Sequence, residues 1–361
     1  MTADQQIRFC KARDGARIAI GTMGKGPPLL RATHWLSHVE FDARSPVWAH
    51  WLRELSRDHT YVRYDQRGCG LSDWSPPEIS FEAWVSDLEA VVDFLGLKRF
   101  PLLGMSQGGA VAIAYAARHP ERVSHLVLHG AYAQGRLRRE SSTHDREEAE
   151  TLLKLIRIGW GRDNPAFRQL FTTLFIPQGT AEQHQWFNEL ERISATPENA
   201  AAIIETTYRV DVTALAETIR VPTTVFHARH DARIPFEEGR KLAALIPNAR
   251  FVPLESQNHV LLDSEPAWPE FLAAFRTILS EPGATPGATR SLMAAGLTPS
   301  ERQVLVLIAR GLDNQAIATE LGKSEKTVRN QVSSVFSKLA VRTRAEAVVW
   351  AREALPPETF A

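Results

Sequence analysis

The segment Ser280-Glu-Pro-Gly-Ala-Thr-Pro-Gly-Ala-Thr-Arg290 holds two Pro-Gly pairs among small polar residues and offers nothing to bury. Proline lacks an amide proton and glycine lacks a side chain, so neither helix nor strand runs through such a stretch. The 361-residue chain is therefore read as a large domain over 1–281, a linker over 282–291 and a small domain over 292–361.

Before the linker, short apolar runs alternate with longer amphipathic ones. Pro28-Leu-Leu, Tyr61-Val-Arg-Tyr, Phe100-Pro-Leu-Leu-Gly, Val123-Ser-His-Leu-Val-Leu and Pro222-Thr-Thr-Val-Phe read as buried strands. Residues 48–56, 81–95, 108–118 and 236–246 read as the helices between them. That alternation predicts a mostly parallel sheet with helices on both faces. From about 132 to 216 it is interrupted by a helical stretch rich in aromatics, among them Trp160, Phe167, Phe171, Phe175, Trp186 and Phe187. We read it as an inserted cap, with about a third of those rings lining a pocket and the rest in its core.

Leu102-Leu-Gly-Met-Ser-Gln-Gly-Gly-Ala sets Gly104-x-Ser106-x-Gly108 between a strand and a helix. A nucleophile on so sharp a turn needs small neighbours two residues to either side, and the helix that follows offers free N–H groups, that of Gln107 first. Two further strands end in loops carrying Asp231 and His259. All three residues then fall at the carboxyl ends of strands, where open α/β sheets keep their sites. Ser106 would attack, His259 would take its proton and Asp231 would orient the imidazole. His34, His38, His227 and His230 are expected to be structural.

On these residues the stretch from Ile7 to Leu279 resembles the α/β-hydrolase superfamily. Arg63-Tyr-Asp65-Gln-Arg67-Gly68-Cys-Gly70-Leu-Ser72 is similar to that family's Asp-x-Arg-Gly-x-Gly-x-Ser turn, with Asp65 and Arg67 bracing it. The resemblance implies the α/β-hydrolase fold. It leaves the chemistry open, because the fold hosts enzymes and receptors alike. One position departs. Family members carry His-Gly after the third strand, and the next residue supplies the second oxyanion N–H. Here His34 is followed by Trp35, which either donates its own N–H or fills part of the pocket.

Beyond the linker the pattern is helical only. Thr298, Pro299 and Glu301 spell a capping box with proline at the first helical position, and Gly311 ends that helix. Asp313 caps a second helix that stops at Gly322. Ser324 caps a third with Val328, Val332, Val335 and Leu339 on one face, and Thr343 with Glu346 opens a fourth. Two short helices about a glycine turn match a helix-turn-helix. Residues 297–352 resemble the LuxR-type tetrahelical DNA-binding domain, an all-α fold, carried by Leu297-Thr-Pro-Ser-Glu-Arg-Gln-Val-Leu and Ser324-Glu-Lys-Thr-Val-Arg-Asn-Gln-Val. Gln331 stands where histidine is common and is expected to reach a phosphate or base edge. The resemblance implies that the third helix enters the major groove. Lys326, Thr327, Arg329, Asn330 and Ser333 would then face DNA, with Lys338, Arg342 and Arg344 on phosphates. It also implies pairing through the fourth helix, near Trp350 and Ala354, to make a homodimer.

Lys and Arg balance Asp and Glu at 42 each, so DNA affinity must come from a local patch. Residues 292–361 supply one, with nine Lys and Arg against seven Asp and Glu. The two cysteines, Cys10 and Cys69, lie far apart without metal spacing. This predicts a reducing, cytoplasmic home with no disulfide, metal or cofactor. No apolar run is long enough to span a bilayer. The sequence thus reads as a transcription regulator that binds double-stranded DNA and senses a small, largely apolar ligand such as an ester or lactone. The alternative is an active serine hydrolase or esterase built on Ser106, His259 and Asp231, with DNA binding as a linked regulatory activity.

Overall fold

The computed structural model describes residues 5–139, 143–281, 296–339, 341 and 343–354. The predicted linker lies outside them. Contacts divide the chain into two compact units, Met1–Pro282 and Gly283–Ala361.

The first unit is built on an eight-stranded sheet: β1 (Gln6–Lys11), β2 (Arg17–Met23), β3 (Pro28–Arg31), β4 (Thr60–Tyr64), β5 (Phe100–Met105), β6 (Val123–His129), β7 (Thr223–Ala228) and β8 (Arg250–Leu254). Their spatial order is β1-β2-β4-β3-β5-β6-β7-β8, antiparallel at β1–β2 and β2–β4 and parallel thereafter. The apolar runs mark no strand before Pro28, yet β1 and β2 are there. β1 is an edge strand with one buried residue, Cys10, so it shows no continuous apolar run. β5 and β6 are buried almost throughout because helices cover both faces.

Helices α1 (Ala49–Leu55), α2 (Phe81–Phe94) and α3 (Gln107–Arg118) follow β3, β4 and β5. Ser80 starts α2 by accepting the Ala83 N–H. The chain then leaves the sheet after β6 for five helices: α4 (Thr143–Gly159), α5 (Ala166–Phe175), α6 (Ala181–Ser194), α7 (Pro197–Arg209) and α8 (Thr213–Thr218). The neck of this cap is closed where the Gly135 N–H donates to Val210 O at 2.7 Å and Gln134 Nε2 donates to Asp211 Oδ2 at 3.0 Å. α9 (Phe236–Leu245) and α10 (Ala267–Ser280) flank β8 in sequence. β3 pairs with β4 on one side and β5 on the other, so the connections after β3 and β5 part there and open a crevice at the carboxyl edge.

The second unit holds α11 (Pro299–Ala309), α12 (Asn314–Leu321), α13 (Glu325–Leu339) and α14 (Arg344–Ala354) around a core of Val304, Leu305, Ile308, Ile317, Val328, Val335, Ala347 and Ala351. Each helix starts on a predicted cap. Thr298 and Glu301 form the full box, Asp313 accepts from the Ala316 N–H, and Ser324 and Thr343 accept from Thr327 and Glu346.

Candidate active site and nucleic-acid interface

Ser106 lies between β5 and α3 with φ 51° and ψ −126°. Only Leu36 and Asn248 share positive φ with it among the described non-glycine residues. Such backbone costs about 1–3 kcal/mol and persists only where its surroundings fix it. Here the Ser106 N–H donates to His129 O at 2.9 Å, and its carbonyl accepts from Gly109 at 3.0 Å. The flanking glycines are explained by contact. A Cβ on Gly104 would lie 2.8 Å from Ala112 Cβ, and one on Gly108 would lie 2.2 Å from Thr33 O.

Asp231 and His259, 28 residues apart, meet at 2.7 Å between Oδ2 and Nδ1. The other carboxylate oxygen accepts the N–H groups of Arg233 and Ile234 at 2.8 and 2.9 Å. Burial pushes the Asp231 carboxyl up, but the imidazoles of His259 and His227 and the Ile234 amide outweigh it and hold it below its ordinary value. An ionised Asp231 fixes the proton of His259 on Nδ1 and leaves Nε2 as the basic nitrogen. Ser106 and His259 line one small cavity.

Three supports of this arrangement have no signal in the strand-and-loop pattern. His129 at the end of β6 is buried, and burial, with His259 nearby, lowers its pKa to about 3. It is therefore neutral, and its Nε2 donates to His259 O at 3.1 Å. The cap contributes Phe175 O, which accepts the N–H groups of His259 and Val260 at 2.9 and 3.2 Å. Gly130, at φ 57°, lets the His259 ring approach; a Cβ there would stand 2.7 Å from His259 Cε1. His227 is structural as expected, bonded through Nε2 to Ile234 O at 3.0 Å.

The two residues expected on the oxyanion side are Gln107 and Trp35. Gln107 opens α3, so its N–H has no partner within the helix. Its side chain is clamped between Gln66 and Thr207, the latter at 2.8 Å. Trp35 is buried behind β3, precedes the strained Leu36, and stands edge-on to Trp160 of the cap at 5.6 Å. Trp35, Phe175 and Phe187 crowd the cavity until only about 10 Å³ remains. That is room for a single water, so any larger molecule taken up here requires lining side chains to move. Of the six cap aromatics, Phe175 and Phe187 line this cavity. Trp186 instead stacks on Phe41 at 4.7 Å.

Arg67 braces the loop after β4 as expected, bonded to Asp14 and Asp87. Asp65 does so by accepting the Val39 and Leu71 N–H groups. Cys10 and Cys69 are buried free thiols. No group of metal-ligating side chains occurs among the described residues.

In the second unit α12 and α13 are joined by a turn with Gly322 in the left-handed region at φ 62°. α13 buries Val328, Val332, Val335 and Leu339 and exposes Lys326, Thr327, Arg329, Asn330 and Ser333. Arg329 touches Glu325 at 2.8 Å with both side chains largely in solvent. Lys338, expected on a phosphate, also has partners within the unit. Its Nζ bonds Glu301 Oε2 at 2.8 Å and Gly296 O at 3.1 Å, pinning the first cap to the end of α13. That contact, with Ser334 and the Thr298 N–H, lowers the Glu301 pKa to about 2. Arg344 is likewise held inside the unit, by Leu312 O and Asn314 Oδ1. Gln331, expected at DNA, donates to Ser300 Oγ at 2.8 Å. Arg342 lies outside the described residues.

An alpha/beta hydrolase fold family model matches residues 42–196, and a model of bacterial regulatory proteins of the luxR family matches residues 295–351. The chain carries an α/β-hydrolase domain and a LuxR-type DNA-binding domain. The hydrolase match includes Ser106 and stops before Asp231 and His259. Among curated proteins, the hydrolase domain is similar to the AB hydrolase superfamily protein YisY of Bacillus subtilis, 26% identical over 260 residues, covering 70% of this chain and 91% of that protein. It is also similar to the pyrrolizixenacetamide deacetylase of Xenorhabdus hominickii, 27% identical over 269 residues, 73% of this chain and 95% of that one. An esterase from Thermogutta terrifontis superposes with a TM-score of 0.61 at 25% identity, over 77% of this chain and all of that structure. An esterase from Exiguobacterium antarcticum, TM-score 0.64 at 24% identity over 76% and 99%, shares the fold. No helix among the described residues is long and apolar enough to cross a membrane.

Proposed function

We propose that this protein is a DNA-binding transcription regulator whose α/β-hydrolase domain takes up a small acyl compound, an ester or lactone, and cleaves it with Ser106. The observation that carries this reading is the strained Ser106 elbow beside a His259–Asp231 pair bonded at 2.7 Å. Such strain at a serine beside an imidazole suits a nucleophile. The naming of one relative as a deacetylase agrees with acyl cleavage.

In this reading Ser106 Oγ attacks the carbonyl carbon as its proton passes to His259 Nε2. The resulting oxyanion is met by the N–H groups of Gln107 and Trp35. Collapse expels the alkoxide, which His259 protonates. Water, deprotonated by His259, then releases the acid and restores Ser106. Occupancy of the site changes the population of a DNA-competent homodimer reading DNA through Lys326, Thr327, Arg329, Asn330 and Ser333.

A receptor that binds without cleaving is the second reading, favoured by the nearly filled cavity behind Trp35. Turnover of para-nitrophenyl acetate, para-nitrophenyl hexanoate and an acyl lactone by the full chain, beside Ser106→Ala, separates the two. Turnover that disappears with Ser106→Ala is expected. Equal residual rates in both proteins would leave the receptor.

A further inference from the structure

Next to the filled cavity lies a wide cleft of about 730 Å³ between the cap and the loop after β7. Its walls hold four cations, Arg136, Arg139, Arg233 and Lys241, against three carboxylates, Glu148, Glu238 and Asp231. The carboxylates are already engaged. Glu148 pairs with Arg136 at 2.6 Å. Glu238 serves both Arg139 and Lys241, at 3.1 and 3.2 Å. Asp231 is bound to His259 and to two backbone amides. Arg233 has no carboxylate partner among the described residues. It rests instead over the Phe175 ring, 5.8 Å from the centroid.

That ring is the link between the two spaces. Phe175 lines the cavity that holds Ser106 and stands edge-on to His259 at 5.4 Å. The Arg233 guanidinium and the His259 imidazole thus both contact this one ring. We infer that Arg233 binds a free carboxylate at the end of the substrate remote from the scissile bond, so the substrate is an anionic ester or lactone whose apolar part meets Phe175 and Ser106. A planar guanidinium accepts a carboxylate in two parallel hydrogen bonds, and the partly enclosed cleft strengthens them. The same contact would draw Arg233 off Phe175 and free that ring to turn out of the filled cavity. Binding of the charged end and opening of the path to Ser106 are then one event.

The inference rests on the Ser106 reading for its scissile bond but not for its anion site, and two measurements keep them apart. In the first, the full chain is given para-nitrophenyl hemisuccinate and para-nitrophenyl butyrate, acyl groups of equal length with and without the carboxylate. We expect kcat/KM to favour the hemisuccinate, Arg233→Gln to reduce that preference by about tenfold or more, and Arg233→Lys to restore part of it. A preference that is the same in Arg233→Gln overturns the inference while leaving the hydrolase intact. In the second, Ser106→Ala is titrated calorimetrically with the hemisuccinate, alone and combined with Arg233→Gln. A Kd raised about tenfold or more by the second change supports the site even if wild type turns over neither ester. Equal Kd values, or no binding to Ser106→Ala, overturn it.

Discussion

In the hydrolase domain the ionic side chains that matter lie inside. Arg67 clamps Asp87, Arg63 holds Asp42, and Asp231 holds His259, all of them buried. In the DNA-binding domain they sit at helix ends or in solvent: Glu301 and Lys338 tie a cap, and Arg329 lies exposed beside Glu325. The difference fits the two tasks proposed. A reacting group must be placed before substrate arrives, because small displacements cost large factors in rate. A DNA-reading side chain must stay hydrated and free to bend until it meets a phosphate or base edge. An exposed pair such as Arg329–Glu325 contributes about 0–1 kcal/mol, so DNA can break it at little cost.

Substitutions should separate the two domains along this line. Asp231→Asn removes the charge that sets the imidazole tautomer and should lower ester turnover by about 10⁴-fold while leaving affinity for DNA as it was. Parallel loss of both would show that the domains are not independent in this respect. Gly130→Ala forces a Cβ to within 2.7 Å of His259 Cε1 at a backbone φ of 57°. It should lower kcat by about 10²-fold and stability by about 1–2 kcal/mol, read in steady-state kinetics and denaturant melts. Unaltered kinetics would mean that the ring is not held against that glycine. Arg329→Ala should weaken binding to a duplex selected from a random pool by about 1–3 kcal/mol with ester turnover intact. Unchanged affinity would remove Arg329 from the reading face.

The smallest effects are those of pH. Unfolded, Glu301 takes up a proton near its ordinary 4.5; folded, only near 2. Its stabilisation is complete above pH 4.5 and is lost as pH falls through 2. His129 goes from an ordinary 6.5 to about 3 on folding. The unfolded chain therefore binds that proton first, and stability falls as pH drops from 6.5 toward 3. Thermal melts across pH should show a flatter profile for Glu301→Gln only in the lower window, in the DNA-binding domain. His129→Gln, which keeps a donor for His259 O, should flatten only the higher window, in the hydrolase domain. Flattening in the wrong window would refute the assignment.

Local chemistry explains which features could be read from the chain alone. Each cap in the DNA-binding domain joins residues three apart, so Thr298 with Glu301, Asp313 and Ser324 are visible in sequence. The glycines around Ser106 are visible for the same reason. His129, Gly130 and Phe175 act on His259 from residues far away in the chain, and no spacing rule brings them together. β1 was hidden because an edge strand buries too little to leave an apolar run. Lys338 and Gln331 suggest DNA contacts by type and position; their bonds to Glu301 and Ser300 within the unit join residues too far apart in the chain for spacing to show. The charge surplus around Arg233 depends on which carboxylates are already paired, and only the folded structure shows that.

The claim that Ser106 is an activated nucleophile is tested most directly by labelling the full chain with a fluorophosphonate and locating the adduct by peptide mass spectrometry, with His259→Ala alongside. One adduct is expected, on the peptide bearing Ser106, and it is lost when His259 is replaced. A folded wild-type protein that takes no label, or takes it equally without His259, would contradict it.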